Sequence, residues 1–367
     1  MDLGLFMMPA HPPGRQPFDF NQYDLQMLRW ADELGVSEAW IGEHFTVSWE
    51  PNPSPDLTIA QALLQTKRIK LGAGAHLLPY HHPVELAHRV AFLDHLAQGR
   101  LQLGIGASAH LGDFMAFGVD GAKGENRVMM REALEIMLGI WAAEGEFKYQ
   151  GKYWNVHIPP NMVNGNYSHH LHTFTKPHPP IALAVMTPGS DTIKLAGSRG
   201  YMQLSIHLND AFTKAHWATY VEAAQKSGIK ADRKKWRIYT ELLVADTDAE
   251  AERLAFDGPM GRLAREYHWQ LLSNFGFLKY LKEDPNAPDS IVTPEYLMRK
   301  VWIIGSVATV ADRIVNLYKL TGGFGTLLWA PTDWGDEPER ARHTMKLLLE
   351  EVLPRVTKTV GTLPMPE

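Results

Sequence analysis

Short apolar runs alternate with longer amphipathic segments along nearly the whole chain. Eight runs have the length and character of buried strands: Leu3–Met8, Ala39–Gly42, Ile69–Ala75, Leu101–Ile105, Ile181–Val185, Met202–Ile206, Arg237–Ala245 and Thr326–Ala330. Between them the apolar positions switch to helical spacing. From Val84 to Leu96, the residues Val84, Ala87, Val90, Ala91 and Leu93 share one face, Pro83 suits the first turn and Gly99 follows as a stop. Helices are likewise expected over 21–34, 56–64, 126–143, 210–226, 307–320 and 337–352, with others opening at 187–192 and at 248. Strand, helix, strand with short connections implies parallel pairing. Eight such units predict an α/β chain folded as a (β/α)8 TIM barrel. An open doubly wound sheet is the alternative arrangement of the same elements. No linker separates two halves, so residues 1–367 read as one domain. Two stretches break the rhythm, 155–180 and about 255–295. They read as irregular excursions over the C-terminal mouth.

A barrel of this kind carries its site where the strands end. That gathers Met7–Met8, Glu43–His44, Gly74–His76, Gly106–Ser108, Met186–Thr187, Ser205–His207, Glu241 and Trp329. The third and fourth strands end in small residues (Gly72, Gly74, Ala75; Gly104, Gly106, Ala107, Ser108). Such ends admit a flat ligand close to the backbone, or serve tight packing. Leu77 and Ala109 stand where a dinucleotide fingerprint has its third glycine. The turn Thr187-Pro188-Gly189-Ser190-Asp191-Thr192 sets hydroxyls at a helix N-terminus, which suits a phosphate or an ordinary cap. His44 at a strand end offers a group that gives or takes a proton near neutral pH.

Composition narrows this picture. The chain is 45% hydrophobic and 21% charged, as soluble enzymes are, with a formal net charge of -5 that fits neither nucleic acid nor an anionic membrane. It has no cysteine, so disulfides and thiolate chemistry are excluded. No apolar run approaches a membrane span and no signal-like start is visible, so a cytoplasmic protein is expected. The histidine pairs and clusters (His81-His82; His169-His170-x-His172) lack convergent ligands on rigid elements, and no metal is expected.

The ordered set Trp40-Ile41-Gly42-Glu43-His44, Gly72-Ala73-Gly74-Ala75-His76-Leu77-Leu78-Pro79, Leu93-Asp94-His95-Leu96, Gly99-Arg100-Leu101-Gln102-Leu103-Gly104-Ile105-Gly106 and Arg127-x-x-x-x-Glu132 resembles the bacterial luciferase-like flavin-dependent monooxygenases. Thr46-x-x-Trp49-Glu50, Tyr80-His81, Ala245 to Ala251 and Val301-Trp302-Ile303-x-Gly305-Ser306 resemble the diketocamphane monooxygenase branch. The resemblance implies a barrel with an excursion near its seventh strand. It implies reduced FMN supplied by a separate reductase, and O2 adding at flavin C4a to give a (hydro)peroxyflavin. The substrate implied is a hydrophobic cyclic ketone or terpenoid. His44, with Glu43, falls on the catalytic position, and Gly74-Ala75 on a non-prolyl cis peptide under the flavin ring. Gly74, Ala75, His76, Gly106, Ala107 and Ser205 are then candidates for contact with the flavin. Thr187, Gly189, Ser190 and Thr192 are candidates for its phosphate. Met8, Phe45, Trp49, His207 and Trp329 are the candidate substrate contacts, and a homodimer built on the early helices is implied.

Two departures matter. Ala107 stands where luciferase has a phosphate-binding arginine, and Phe45 stands where it has a second histidine, which argues against light emission. A deazaflavin (F420)-dependent oxidoreductase and a non-catalytic flavin-binding protein remain alternatives on the same scaffold. The aromatic residues of the excursions (Trp154, Tyr167, His169, Phe174, Trp269, Phe275, Phe277) are fit to line an apolar pocket that excludes water.

Overall fold

The strands form where the apolar runs lie. The computed structural model describes residues 1–8, 10–160, 162, 164 and 170–361. Among these the strands are β1 (Asp2–Met7), β2 (Glu38–Ile41), β3 (Lys70–Leu77), β4 (Leu101–Gly106), β5 (Phe147–Gln150), β6 (Asn155–Ile158), β7 (Ile181–Val185), β8 (Met202–Ile206), β9 (Trp236–Ala245), β10 (Ile303–Ser306) and β11 (Thr326–Ala330). Eight of them close a parallel barrel in the order β1-β2-β3-β4-β7-β8-β9-β11, with β11 returning to β1. Leu5 lies opposite Ala39 on one side and Trp329 on the other. The barrel is therefore the (β/α)8 form and not the open sheet. Helices Pro17–Leu34, Pro55–Leu63 and Pro83–Ala97 each begin on a proline, whose missing N–H costs nothing in a first turn.

Trp40, fully buried, fills the barrel interior. A Cβ at Gly72 would lie 2.9 Å from its indole, one at Gly74 2.7 Å from Trp40 Cβ, and one at Gly104 2.0 Å from the Ala73 carbonyl. The small residues of β3 and β4 thus make room first for the indole. Below it, Glu38 accepts hydrogen bonds from Trp40 Nε1 (2.9 Å), Arg237 Nε (3.0 Å) and Arg237 Nη2 (3.1 Å). Their convergence satisfies a carboxylate that burial alone would penalise.

The two excursions are deployed differently. The first begins with the antiparallel β5–β6 hairpin, which its weak, half-exposed alternation concealed. Glu132 accepts from the N–H groups of Lys152, Tyr153 and Trp154 at 2.8–3.0 Å. Asp94 accepts from the Thr175 N–H at 2.7 Å. Both carboxylates belong to barrel helices, Glu125–Ala142 and Pro83–Ala97. The described residues of this excursion are therefore pinned to the helix ring. His170 and His172 bond the carbonyls of Ala143 and Trp141, which leaves them a packing role. Tyr167 and His169 lie outside the described residues. The second excursion crosses the mouth, and β10 extends it as a short strand on the end of β9. The Gly305-Ser306 turn is closed internally: Asp248 accepts from the Ser306 N–H and the Thr309 hydroxyl.

A buried histidine ties two loops over β1 and β11. His11 Nδ1 meets Asp333 at 2.6 Å and His11 Nε2 meets Asp24 at 3.2 Å, with Arg15 on the other oxygen of Asp333. No helix among the described residues is long and apolar enough to cross a membrane.

Candidate active site

The ends of β1, β2, β3, β4, β7, β8 and β9 surround a cavity of about 430 Å³. Gly74, Ala75, Gly106 and Ala107 form one wall of it, and the peptide joining Gly74 to Ala75 is cis. Thr187, Ser190 and Thr192 line another side, at the start of helix Asp191–Arg199, with Asn126 and Arg127 beside them. The second excursion closes the mouth with Leu271, Leu272, Phe275 and Phe277, and Trp302 adds to that apolar side. Polar groups on this side are few: His207, Glu241 and His268, the last 3.2 Å from Glu241. Ser108 Oγ and Asn126 Oδ1 are buried in the wall with no hydrogen-bond partner. Buried polar atoms are normally paired, so these two invite a ligand.

His44 stands just beyond β2, its backbone N–H bonded to the Asn52 carbonyl at 2.9 Å. Its Nε2 is 2.8 Å from the fully buried Glu50 carboxylate, and its Nδ1 is 3.9 Å from Asp113. Burial alone would pull its pKa down. The charge of Glu50, with Asp113, outweighs this and raises it to about 9. His44 is therefore an imidazolium at neutral pH. The His110 ring stands edge-on to it at 4.6 Å, and burial followed by the His44 charge lowers the His110 pKa. Asp113 is held near pKa 2: burial opposes this, but His44 and the two Thr46 donors prevail.

Glu43 has a different task. Its oxygens accept from the Leu77 N–H (2.6 Å) and from His81 (2.8 Å), so it braces the end of β3 although it borders the cavity. Met8, His44, Gly74, Ala75, Gly106, Ala107, Thr187, Ser190, Thr192 and His207 also border the cavity, as their positions on strand ends led us to expect.

Other candidates point elsewhere. His76 faces Asp56 at 3.0 Å behind the β3 wall. Ser205 turns outward, where it accepts from Trp236 Nε1 and Gln203; the alternation of the strand sends Leu204 and Ile206 inward instead. Gly189, at φ +73°, shapes the turn and donates its N–H to Thr219. Phe45 packs on Tyr80 and Phe117, Trp49 is stacked beneath Tyr267, and Trp329 is buried with its Nε1 on the Leu242 carbonyl. None of these six borders the cavity. Of the excursion aromatics, Phe275 and Phe277 border it, whereas Trp154, Phe174 and Trp269 do not. Glu50, His110, Asp113 and His268 were not anticipated. Asp113 and His268 meet partners distant in sequence, whereas Glu50 meets His44 within one loop, and only the pairing of Glu50 with Trp49 in a shared motif hinted at it.

The sequence model described as luciferase-like monooxygenase matches residues 1–323. The chain belongs to the luciferase-like monooxygenase family. Among its relatives, the 3,6-diketocamphane 1,6-monooxygenase of Pseudomonas putida is 33% identical, with 97% of this chain and 98% of that protein covered. The limonene 1,2-monooxygenase of Rhodococcus erythropolis is 30% identical, covering 98% of this chain and 88% of the relative. Among solved structures, the oxygenating constituent of P. putida 3,6-diketocamphane monooxygenase, a type II Baeyer-Villiger monooxygenase in complex with FMN, superposes with a TM-score of 0.91 at 33% identity, covering 99% of both chains. As a luciferase-like monooxygenase, the chain presents its cavity where barrel enzymes carry out their chemistry.

Proposed function

We propose that this monooxygenase is the oxygenating component of a two-component system. It takes reduced FMN from a separate reductase and uses O2 to oxygenate a hydrophobic cyclic ketone or terpenoid-like substrate. The observation that carries this reading is one cavity with three unlike sides: a flat small-residue wall at Gly74–Ala75, a hydroxyl-lined helix start at Thr187–Thr192, and an apolar side facing the His44 imidazolium. The relative solved with FMN supports the choice of flavin.

The residues fit the cofactor. Gly74, Ala75, Gly106 and Ala107 would lie along the ring system. Thr187, Ser190, Thr192 and the helix N-terminus would hold the phosphate, with Arg127 the one permanent cation among the described residues of the wall, in place of the arginine absent at Ala107. The unpaired Ser108 Oγ and Asn126 Oδ1 would gain partners. Reduced FMN, when bound, supplies the two electrons that activate O2. His44 holds a proton at the reacting centre and stabilises negative charge developing there. Phe275, Phe277, Leu271 and Leu272 exclude water and bind the apolar body of the substrate.

The test is a binding titration followed by turnover. FMN should bind more tightly than NADH or a deazaflavin. With reduced FMN, 18O2 and a panel of bicyclic ketones, one labelled oxygen should enter the product. Preferential deazaflavin binding without label incorporation would instead support the oxidoreductase alternative. The early helices also expose Leu57, Leu64, Phe92 and Leu96, an apolar face that suits a homodimer. Sedimentation should give twice the chain mass at micromolar concentration; a monomer there would contradict this.

A further inference from the structure

Glu50 is fully buried at the mouth, at 0% side-chain exposure, and the reading above leaves it without a role. It sits on the loop between β2 and the helix Pro55–Leu63. None of its side-chain oxygens receives a hydrogen bond of good geometry. What surrounds it is basic. His44 Nε2 is 2.8 Å away, and one polar side-chain atom each from His44, Glu50 and His110 lie within 4.8 Å of one another. From the second excursion, the Tyr267 hydroxyl faces the same carboxylate and the His268 charge acts on it. Tyr267 also stacks on Trp49 at 6.1 Å, and the Arg262 guanidinium covers that indole at 5.5 Å, so the excursion roofs the loop that carries Glu50.

The other carboxylate beside His44 is divided: Thr46 engages Oδ1 of Asp113, and Oδ2 faces His44 Nδ1. Asp113 is 3.9 Å from His44 and already accepts from the Thr46 N–H and hydroxyl. Glu50 has no comparable second use. A buried charge persists only where a partner compensates it, and here that partner is His44.

We propose that Glu50 is the positioning residue of this site: its carboxylate, 2.8 Å from Nε2, fixes the His44 ring so that Nδ1 faces Asp113 beside the cavity. This rests on the oxygenase reading above. His44 Nδ1 is buried 3.9 Å from Asp113 Oδ2, and neither atom has a hydrogen-bond partner. His110 is the internal contrast. It shares the pocket but lacks so close a carboxylate, and its pKa moves down where that of His44 moves up. The charged and titratable groups facing His44 are Glu50 on its own loop, Asp113 and His110 on the segment before and within helix Leu111–Phe117, and Tyr267 and His268 on the excursion. Of these, Glu50 is the contact that decides its charge. The excursion acts on His44 through Glu50, by keeping water from that carboxylate.

The test is a direct titration of His44 by NMR on histidine-labelled, flavin-free protein, assigned with His44→Gln. In the wild type the proton should leave near pH 9. In Glu50→Gln it should leave about 1–2 pH units lower, the usual effect of losing one close opposite charge. Glu50→Asp should recover part of that shift, and Asp113→Asn should move the titration less than Glu50→Gln does. The falling limb of the kcat profile should follow the same order. A Glu50→Gln protein titrating where the wild type does, or a wild-type His44 already neutral at pH 7, overturns the proposal. If Glu50→Gln does not fold, Asp113→Asn decides: a titration that stays near 9 supports Glu50, and a fall to the ordinary histidine value overturns it. The NMR outcomes need no turnover, so they stand apart from the oxygenase reading, which fails if the wild type incorporates no oxygen.

Discussion

Glu43 and His44 are adjacent in the chain, yet they belong to two different carboxylate–histidine clusters. Glu43 joins His81, Arg89, Asp56 and His76 in a ladder behind the Gly74–Ala75 wall, with Glu43 to His81 at 2.8 Å, Arg89 to Asp56 at 2.5 Å and Asp56 to His76 at 3.0 Å. His44 joins Glu50, Asp113 and His110 beside the cavity. The electrostatic signature is alike in both. Burial opposes the charged forms, and the partner's charge prevails, so His76 and His44 are raised while Asp56 and Glu50 are lowered. Perturbed ionisation therefore does not separate a brace from a reacting group here. Access does: the His44 side chain keeps 15% of its surface, His76 only 3%. The ladder fastens the ends of β2 and β3 to two helices and holds the wall still. The open cluster borders the cavity through His44 and His110.

Substitutions on the two sides should break in opposite ways. The largest effect belongs to the open cluster. His44→Gln keeps a donor for Glu50 but removes the titratable proton, and kcat with saturating reduced FMN should fall about 10²-fold or more while the melting temperature holds. Next comes the ladder. His76→Ala should lower unfolding stability by about 3 kcal/mol, the low end for breaking a buried pair, because Arg89 remains on Asp56. Turnover at saturating FMN should stay within a few-fold. Urea unfolding and steady-state rates on both proteins check the pair, and swapped outcomes would exchange the roles of the clusters.

The smaller effect is in the pH dependence of stability. His44 and His11 each have a folded pKa of about 9, above the ordinary histidine value. Both owe this to acidic partners that outweigh burial. Their stabilisation is complete below about pH 6.5 and is lost as pH rises toward 9, on the order of 3 kcal/mol for each. His207 and His216 work the other way. Burial lowers them to about 4 and about 3, so stability should also fall as pH drops below about 6.5. Chemical denaturation from pH 5 to 10 should therefore show a maximum near pH 6.5. His44→Gln should flatten the alkaline side, and a curve that keeps rising to pH 9 would refute this assignment of charges.

The barrel was legible because its signal is local. Each run such as Leu101–Ile105 is buried from end to end, and prolines and glycines punctuate the helices between. The positions of His44, Gly74 and Thr187 at the mouth followed from strand ends alone. Side-chain convergence was not legible. Asp113 reaches Thr46 across 67 residues, and no periodicity encodes such a meeting. The two excursions looked alike as sequence, both irregular and aromatic. What distinguishes them is a pair of carboxylates on neighbouring helices, Glu132 and Asp94, that capture the backbone of the first and leave the second to cover the mouth. Trp49 and Trp329 were expected at the substrate, but both are large rings that the packing needs elsewhere.

The measurement that bears most directly on this account is a crystal structure of the protein with FMN. The ring system should lie against Gly74–Ala75 with its phosphate among Thr187, Ser190, Thr192 and Arg127, and His44 should be within hydrogen-bonding reach of the flavin's reacting edge while the Glu43–His81 contact stays unchanged. A flavin bound outside this cavity, or one that draws on His81 or His76 while His44 remains turned away, would contradict the division between the open cluster and the brace.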